Sequence, residues 1–167
     1  MRKIFAATAL VMASFFWNCE KDDICDENTP TTPNLVIEFF DITNPTVLKN
    51  VTNLQITATG STDTLDFNAV SKVLLPLNIS ADSTTYKFVL NSTNTAIDNQ
   101  DNLQFSYSVE EIFVSRACGY KTIFTLDATT PLLHTDAAMP DGLWIQDITI
   151  SEPIITSETE THVKIYF

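Results

Sequence analysis

The sequence predicts an all-β protein: an antiparallel β-sandwich of seven to nine strands in a Greek-key, immunoglobulin-like arrangement. Three observations carry this. From Leu35 to Phe167 apolar and polar residues alternate with period two in short runs. The runs are rich in β-branched and aromatic residues and are broken by Asn, Asp, Pro and Ser. No stretch of that region sustains a helical period over three turns. Successive side chains of a strand point to opposite faces, so alternation marks half-buried strands. Many short strands with turns between them are best satisfied by two packed sheets.

Taken in order, Leu35, Ile37 and Phe39 form the first inward set, against Val36, Glu38 and Phe40. Leu54, Ile56 and Ala58 form the second; Val73, Leu75, Leu77 and Ile79 the third; Tyr86, Phe88 and Leu90 the fourth. The clearest set is Leu103, Phe105, Tyr107 and Val109, with Gln104, Ser106, Ser108 and Glu110 facing out. Tyr120, Phe124 and Leu126 follow, then Trp144, Ile148 and Ile150, then Val163, Ile165 and Phe167. Two places break the pattern. The consecutive charges Glu110-Glu111 predict a bulge or tight turn. Residues 128–142 are the longest non-alternating segment, expected to be a connection with a short helical turn that caps one end of the sandwich. Such connections carry binding in some sandwiches, though a structural crossover is the commoner role.

Ahead of this region lies an export signal. Met1-Arg2-Lys3 is a cationic start, Ile4 to Phe16 is an apolar run too short to span a bilayer, and Cys19 closes it. This is the layout of a cleavable secretory signal rather than a membrane helix. A cysteine at the cut site predicts lipidation (palmitate-type acyl chains) of Cys19, with ordinary cleavage nearby as the competing reading. Cysteine arithmetic supports the anchor. Three cysteines in an oxidising compartment leave one unpaired. With Cys19 lipidated, Cys25 and Cys118 remain as a disulfide pair.

The expected organisation is therefore a signal peptide (1–18), a lipidated acidic tether (19–34) and a β-sandwich domain (35–167). Residues 26–34 are polar and proline-bearing, unable to bury enough apolar area to order themselves. Loss of residues 1–18 removes Arg2 and Lys3 but no acid, so the formal net charge of −12 becomes −14. That balance excludes nucleic acid, whose phosphates demand Lys and Arg, and electrostatic adhesion to anionic lipid heads. The membrane is then a partner only through the lipid anchor. Acidic residues beside the lipidated cysteine (Glu20, Asp22, Asp23) resemble the signal that sends Bacteroidota lipoproteins to the outer leaflet of the outer membrane. Cell-surface display is accordingly favoured over periplasmic retention.

Candidate chemistry is sparse. His134 and Asp136 lie two apart and face one way if extended, as an acid–base or metal pair requires, but no third ligand accompanies them. His162, Lys164 and Tyr166 read as a solvated row on the last strand. Arg116, between Val114 and Cys118, is expected to be partly buried on a strand and paired with a carboxylate beside the disulfide, with ligand binding as the lesser reading. Asp98 to Asn102 is oxygen-rich but lacks the glycine and distal glutamate of a calcium loop, so a hairpin turn is the simpler reading. Thr64 (after Asp63) and Ser83 (after Asp82) match a short O-glycosylation acceptor pattern. Trp144 reads as core. Adjacent Glu110 and Glu111 point to opposite faces of a strand and cannot form a carboxylate pair. No nucleophile elbow, zinc helix or phosphate loop occurs, so no catalytic residue, metal or cofactor is expected.

Five stretches together look familiar: Cys19-Glu-Lys-Asp-Asp-Ile-Cys25, Phe39-Phe40-Asp41 with Asn44-Pro45, Leu75-Pro76-Leu77-Asn78, Val114-Ser-Arg-Ala-Cys-Gly-Tyr120 and His162-Val-Lys-Ile-Tyr-Phe167. Over nearly all of its length the chain resembles a family of uncharacterised flavobacterial lipoproteins of the Bacteroidota. The resemblance implies an envelope location and a shared fold, and brings no activity with it. The expected function is a non-catalytic binding or scaffolding module for an envelope protein or glycan. An accessory subunit of an outer-membrane complex is the alternative, marked by an exposed apolar patch. A hydrolase using the 128–142 segment ranks third, since it needs convergent titratable groups.

Overall fold

The structure, a computed structural model, describes residues 24–167; the segment expected to be a signal peptide (1–18), the expected lipidation site Cys19 and Glu20–Asp23 lie outside the described residues. Twelve strands form two sheets: β1 (Leu35–Asp41), β2 (Asn44–Leu48), β3 (Leu54–Ala58), β4 (Thr64–Phe67), β5 (Lys72–Leu75), β6 (Ser83–Leu90), β7 (Asn99–Ser115), β8 (Gly119–Leu126), β9 (Leu132–Asp136), β10 (Asp147–Ile150), β11 (Ile154–Ile155) and β12 (Val163–Tyr166). The antiparallel sandwich predicted from the alternation is present. Its strand number exceeds the expectation because β2, β4, β9 and β11 are short pieces whose side chains are mostly exposed or half-buried. Such pieces carry little alternation to read.

The five-stranded sheet runs β10–β12–β1, with β2 and β5 both on the far side of β1. β5 pairs with Leu35 to Glu38 and β2 with Phe40 and Asp41. β1 and β12 are parallel, and β1 lies at the centre; Leu35, Val36, Ile37 and Phe39 are all fully buried. The seven-stranded sheet runs β11–β8–β7–β6–β3–β4, with β9 also beside β7. β7 organises it. Asn99 to Ser106 pair with β6 on one side, while β9 and then β8 follow one another along the opposite side. The core between the sheets is built from Leu35, Ile37 and Phe39 on one layer and Phe88, Leu103 and Phe105 on the other. Each such side chain contributes roughly 1.5–3 kcal/mol by leaving water.

The passage between sheets after β5 is held by two hydroxyls. Tyr86 Oη donates to the carbonyl of Pro76, and Tyr107 Oη donates to the carbonyl of Asn78 at 2.9 Å. Burial, with Tyr107 alongside, pushes the Tyr86 phenol up to about 12. These bonds satisfy carbonyls that the crossing would otherwise strand.

Several expectations are corrected. Ile79 does not extend the third inward set; β5 ends at Leu75 and Ile79 is exposed. Glu110-Glu111 does not interrupt β7, whose pairing with β8 continues unbroken to Phe113 before a bulge. The strand simply leaves the core there, so charges on both faces are solvated. Val109 and Tyr120, placed in inward sets, are exposed for the same reason. The 128–142 segment holds no helical turn; it contains β9. Residues 25–34 are not a free tether. They run beside the β7–β8 hairpin, with Pro33 buried and Thr32 Oγ1 accepting from Thr122 N at 2.9 Å.

Candidate functional site

The expected pair His134 and Asp136 sits on β9, and both residues face the core side. β9 pairs antiparallel with β7, placing His134 opposite Leu103 and Asp136 opposite Asp101. Directly opposed residues share a face, so the prediction that they point one way holds. They do not converge on a common point.

His134 pairs instead with Asp101, which sequence reasoning had assigned to a hairpin turn. Asp101 lies within β7 on its inward face and is fully buried. His134 Nε2 and Asp101 Oδ2 are 2.8 Å apart. Oδ2 also accepts from Ile145 N at 2.9 Å, and Oδ1 accepts from Trp144 N at 3.4 Å. Backbone amides only donate, so the carboxyl is the acceptor in both of those bonds, and the direction of its bond to the imidazole follows the His134 tautomer. Burial pushes the Asp101 carboxyl above its ordinary range, opposed by the Ile145 amide, His134 and the Trp144 amide. Trp144 follows from this anchoring. Its ring is buried against Phe167 and its Nε1 donates to the carbonyl of Phe88. The tryptophan is core as expected, although it precedes β10 rather than lying on it.

Asp136, directly across from Asp101, performs the same task. Oδ1 accepts from Ala137 N at 2.7 Å and Oδ2 from Gly142 N at 3.1 Å. Desolvation raises its pKa, but the amides of Ala137, Gly142 and Asp141 outweigh it and hold the carboxyl below its usual range. The loop from Ala137 to Leu143 is thus wrapped around one carboxylate and tied to the sheet by another, with Met139 and Leu143 exposed on it. Both carboxylates are thus engaged by backbone amides that fix the loop. No group of three or more His, Cys, Asp or Glu suited to a metal occurs among the described residues.

The second region is the outer end of the β7–β8 hairpin. Cys25 and Cys118 form a disulfide with Cα atoms 4.9 Å apart, as the cysteine count predicted. The turn is tight. Ser115 Oγ accepts from Cys118 N, and Gly119 adopts φ +71°, a conformation that disfavours any side chain. Arg116 departs from expectation. It lies in this turn rather than on a strand and is exposed, with no carboxylate in salt-bridge range among the described residues. A turn beyond the core offers no burial that would demand a partner. It shares an open cleft of about 390 Å³ with Ile24, Asp26 and Thr29. Phe113 and Tyr120 stack edge-to-face at 5.4 Å on the hairpin, both largely exposed.

His162 is also misplaced by sequence reasoning. It is 1% exposed, not a member of a solvated row. Its Nδ1 accepts from Val36 N at 2.9 Å, and its own N donates to the carbonyl of Val36. Burial lowers its pKa, against the acids Glu152, Glu160 and Glu158. The neutral ring is a structural link across the β1–β12 boundary. Among the glycosylation candidates, Thr64 is exposed on the edge strand β4, and Ser83 is half-buried opposite Ser106. Asn99 to Asn102 belong to β7 rather than to a turn.

Residues 53–167 match a family of unknown function, DUF6452, and the chain belongs to that family. The match starts just before β3 and omits β1, the centre of the five-stranded sheet. No curated protein and no solved structure matches the chain.

Proposed function

We propose that this DUF6452 member is an exported lipoprotein, anchored through Cys19 to the outer membrane, with its surface leaflet favoured, and that its β-sandwich is a non-catalytic binding or scaffolding module. The observation that carries the reading is the cysteine pairing. Cys25 and Cys118 bond to each other, which leaves Cys19 as the odd cysteine at the end of an export signal. The saturation of Asp101 and Asp136 by backbone amides supports the non-catalytic half. The exposed Phe113–Tyr120 pair favours a protein partner, which keeps the accessory-subunit reading beside that of a glycan-binding module.

Intact mass of the protein from its native host tests the anchor: a mature chain beginning at acylated Cys19 is expected. An unlipidated chain beginning elsewhere sinks the idea. A hydrolase substrate screen tests the rest, and turnover abolished by His134→Ala or Asp136→Ala would show an enzyme.

A further inference from the structure

The two edges of the β7–β8 hairpin are treated differently. On the β8 side, β11 pairs with Thr125 and Phe124, Thr32 caps the amide of Thr122, and the disulfide pins the turn. On the β7 side, cover stops at Tyr107, whose N donates to the carbonyl of Asp82. Backbone groups of a strand alternate between its two sides. Ser106 bonds towards β8 and β9, giving its N–H to Pro131 and accepting from Asp127. The N–H and C=O groups of Val109, Glu111 and Phe113 therefore face the side that β6 has left. No backbone bond reaches those amides among the described residues. An open cleft of about 580 Å³, bounded by Ile79, Asp82, Tyr107 and Val109, marks the start of this free edge.

We propose that the free edge of β7, from Ser108 to Ser115, accepts an extended cationic segment of a partner protein as an added antiparallel strand. This deepens the binding reading above and rests on it. Strand addition takes its affinity from main-chain bonds and its selectivity from alternate side chains. Here Glu110 and Glu111 present one carboxylate on each face of the edge, both exposed. Val109 and Phe113 flank Glu111 on one face. A chain of formal net charge −12 favours a basic partner at long range as well. A second copy is disfavoured, because self-pairing brings the Glu110–Glu111 pairs of both copies together, and like charges across a ladder destabilise it.

The test uses the full-length protein in detergent and, as probe, the acetylated and amidated peptide Thr-Val-Lys-Lys-Val-Thr. Calorimetric binding is expected, with amide-exchange protection at Val109, Glu111 and Phe113 rising about tenfold or more at saturation. Ser108, Glu110 and Ile112, already bonded to β8, are expected to be unchanged. Glu111→Pro removes an outward N–H but no ladder bond, so it should abolish binding while leaving the thermal midpoint unchanged. The double variant Glu110→Lys/Glu111→Lys should weaken binding by about tenfold or more. The assignment is overturned by unchanged protection at about 1 mM peptide, by equal binding of Thr-Val-Glu-Glu-Val-Thr, or by binding that survives Glu111→Pro. Sedimentation showing a dimer that Glu111→Pro dissolves would instead give the edge to a second copy and overturn it too. Intact mass reads the anchor separately, so failure here leaves the lipoprotein reading standing.

Discussion

The two halves of β7 carry the same kind of sequence and meet opposite fates. Leu103, Phe105 and Tyr107 alternate with polar residues and are at most 4% exposed. Val109, Glu111 and Phe113 continue the same face by the same rule, yet Val109 is 36% and Phe113 56% exposed. The difference is what lies across from them. The first half lies in the core shared with the other sheet; among the described residues, the second pairs with β8 alone, beside the 25–34 strap. Alternation tells which face a side chain takes, and says nothing of whether a second layer covers it.

The largest test of this contrast is the disulfide. Replacing Cys25 and Cys118 together by serine reopens a loop with a separation of 93 residues. The expected loss is ~4–5 kcal/mol in the chain-entropy account, read from urea unfolding. Amide exchange should quicken most at Ile112 and Lys121 on the arm and least at Leu103 and Phe105. Uniform loss of protection along β7 would mean that its two halves are one cooperative unit.

Next comes a matched truncation. Phe105→Ala empties a fully buried site and should cost about 3–5 kcal/mol. Phe113→Ala removes an exposed ring and one edge-to-face contact, costing about 1 kcal/mol or less. Comparable shifts in the urea midpoint would show that the arm is covered in solution.

A charged pair sharpens the comparison further. Asp101 and Glu111 share one face of β7. Asp101→Ala leaves the Ile145 and Trp144 amides without their acceptor in the core, and about 2–4 kcal/mol should go. Glu111→Ala on the solvated arm should stay within about 0.5 kcal/mol. The pH sign of Asp101 is distinctive. Its folded pKa is raised, so the native state holds the proton more tightly than the unfolded chain, and this group's contribution falls as pH rises from 3.8 through the folded value. Asp101→Asn should flatten that slope, measured as the unfolding midpoint against pH.

The smallest effect concerns His162, buried beside β1 as Asp101 is buried in β7, but of opposite sign. Its folded pKa lies below 6.5, so its contribution is present above pH 6.5 and is lost as pH falls through the folded value. His162→Ala should cost about 1–3 kcal/mol at neutral pH through the orphaned Val36 amide. It should also remove the His162 share of the acid limb. An unchanged limb would assign acid sensitivity to the carboxylates alone.

By itself the sequence determined the all-β class, the inward faces of β1, β3, β6 and the first half of β7, and the pairing of Cys25 with Cys118. These follow from local periodicity and from counting, neither of which needs a neighbour to be known. It also placed His134 and Asp136 on one face. Only the tertiary structure decided that His134 is bound to Asp101, 33 residues earlier in the chain, and that Asp136 is spent on the amides of Ala137 and Gly142. The same holds for the burial of His162 under Val36, the exposure of Arg116 and the strap at residues 25–34. These depend on which groups from distant segments come to lie within hydrogen-bonding distance of one another, and on how far the β7–β8 hairpin runs past the core. Both are set by sheet packing and strand length, quantities that no run of adjacent residues encodes.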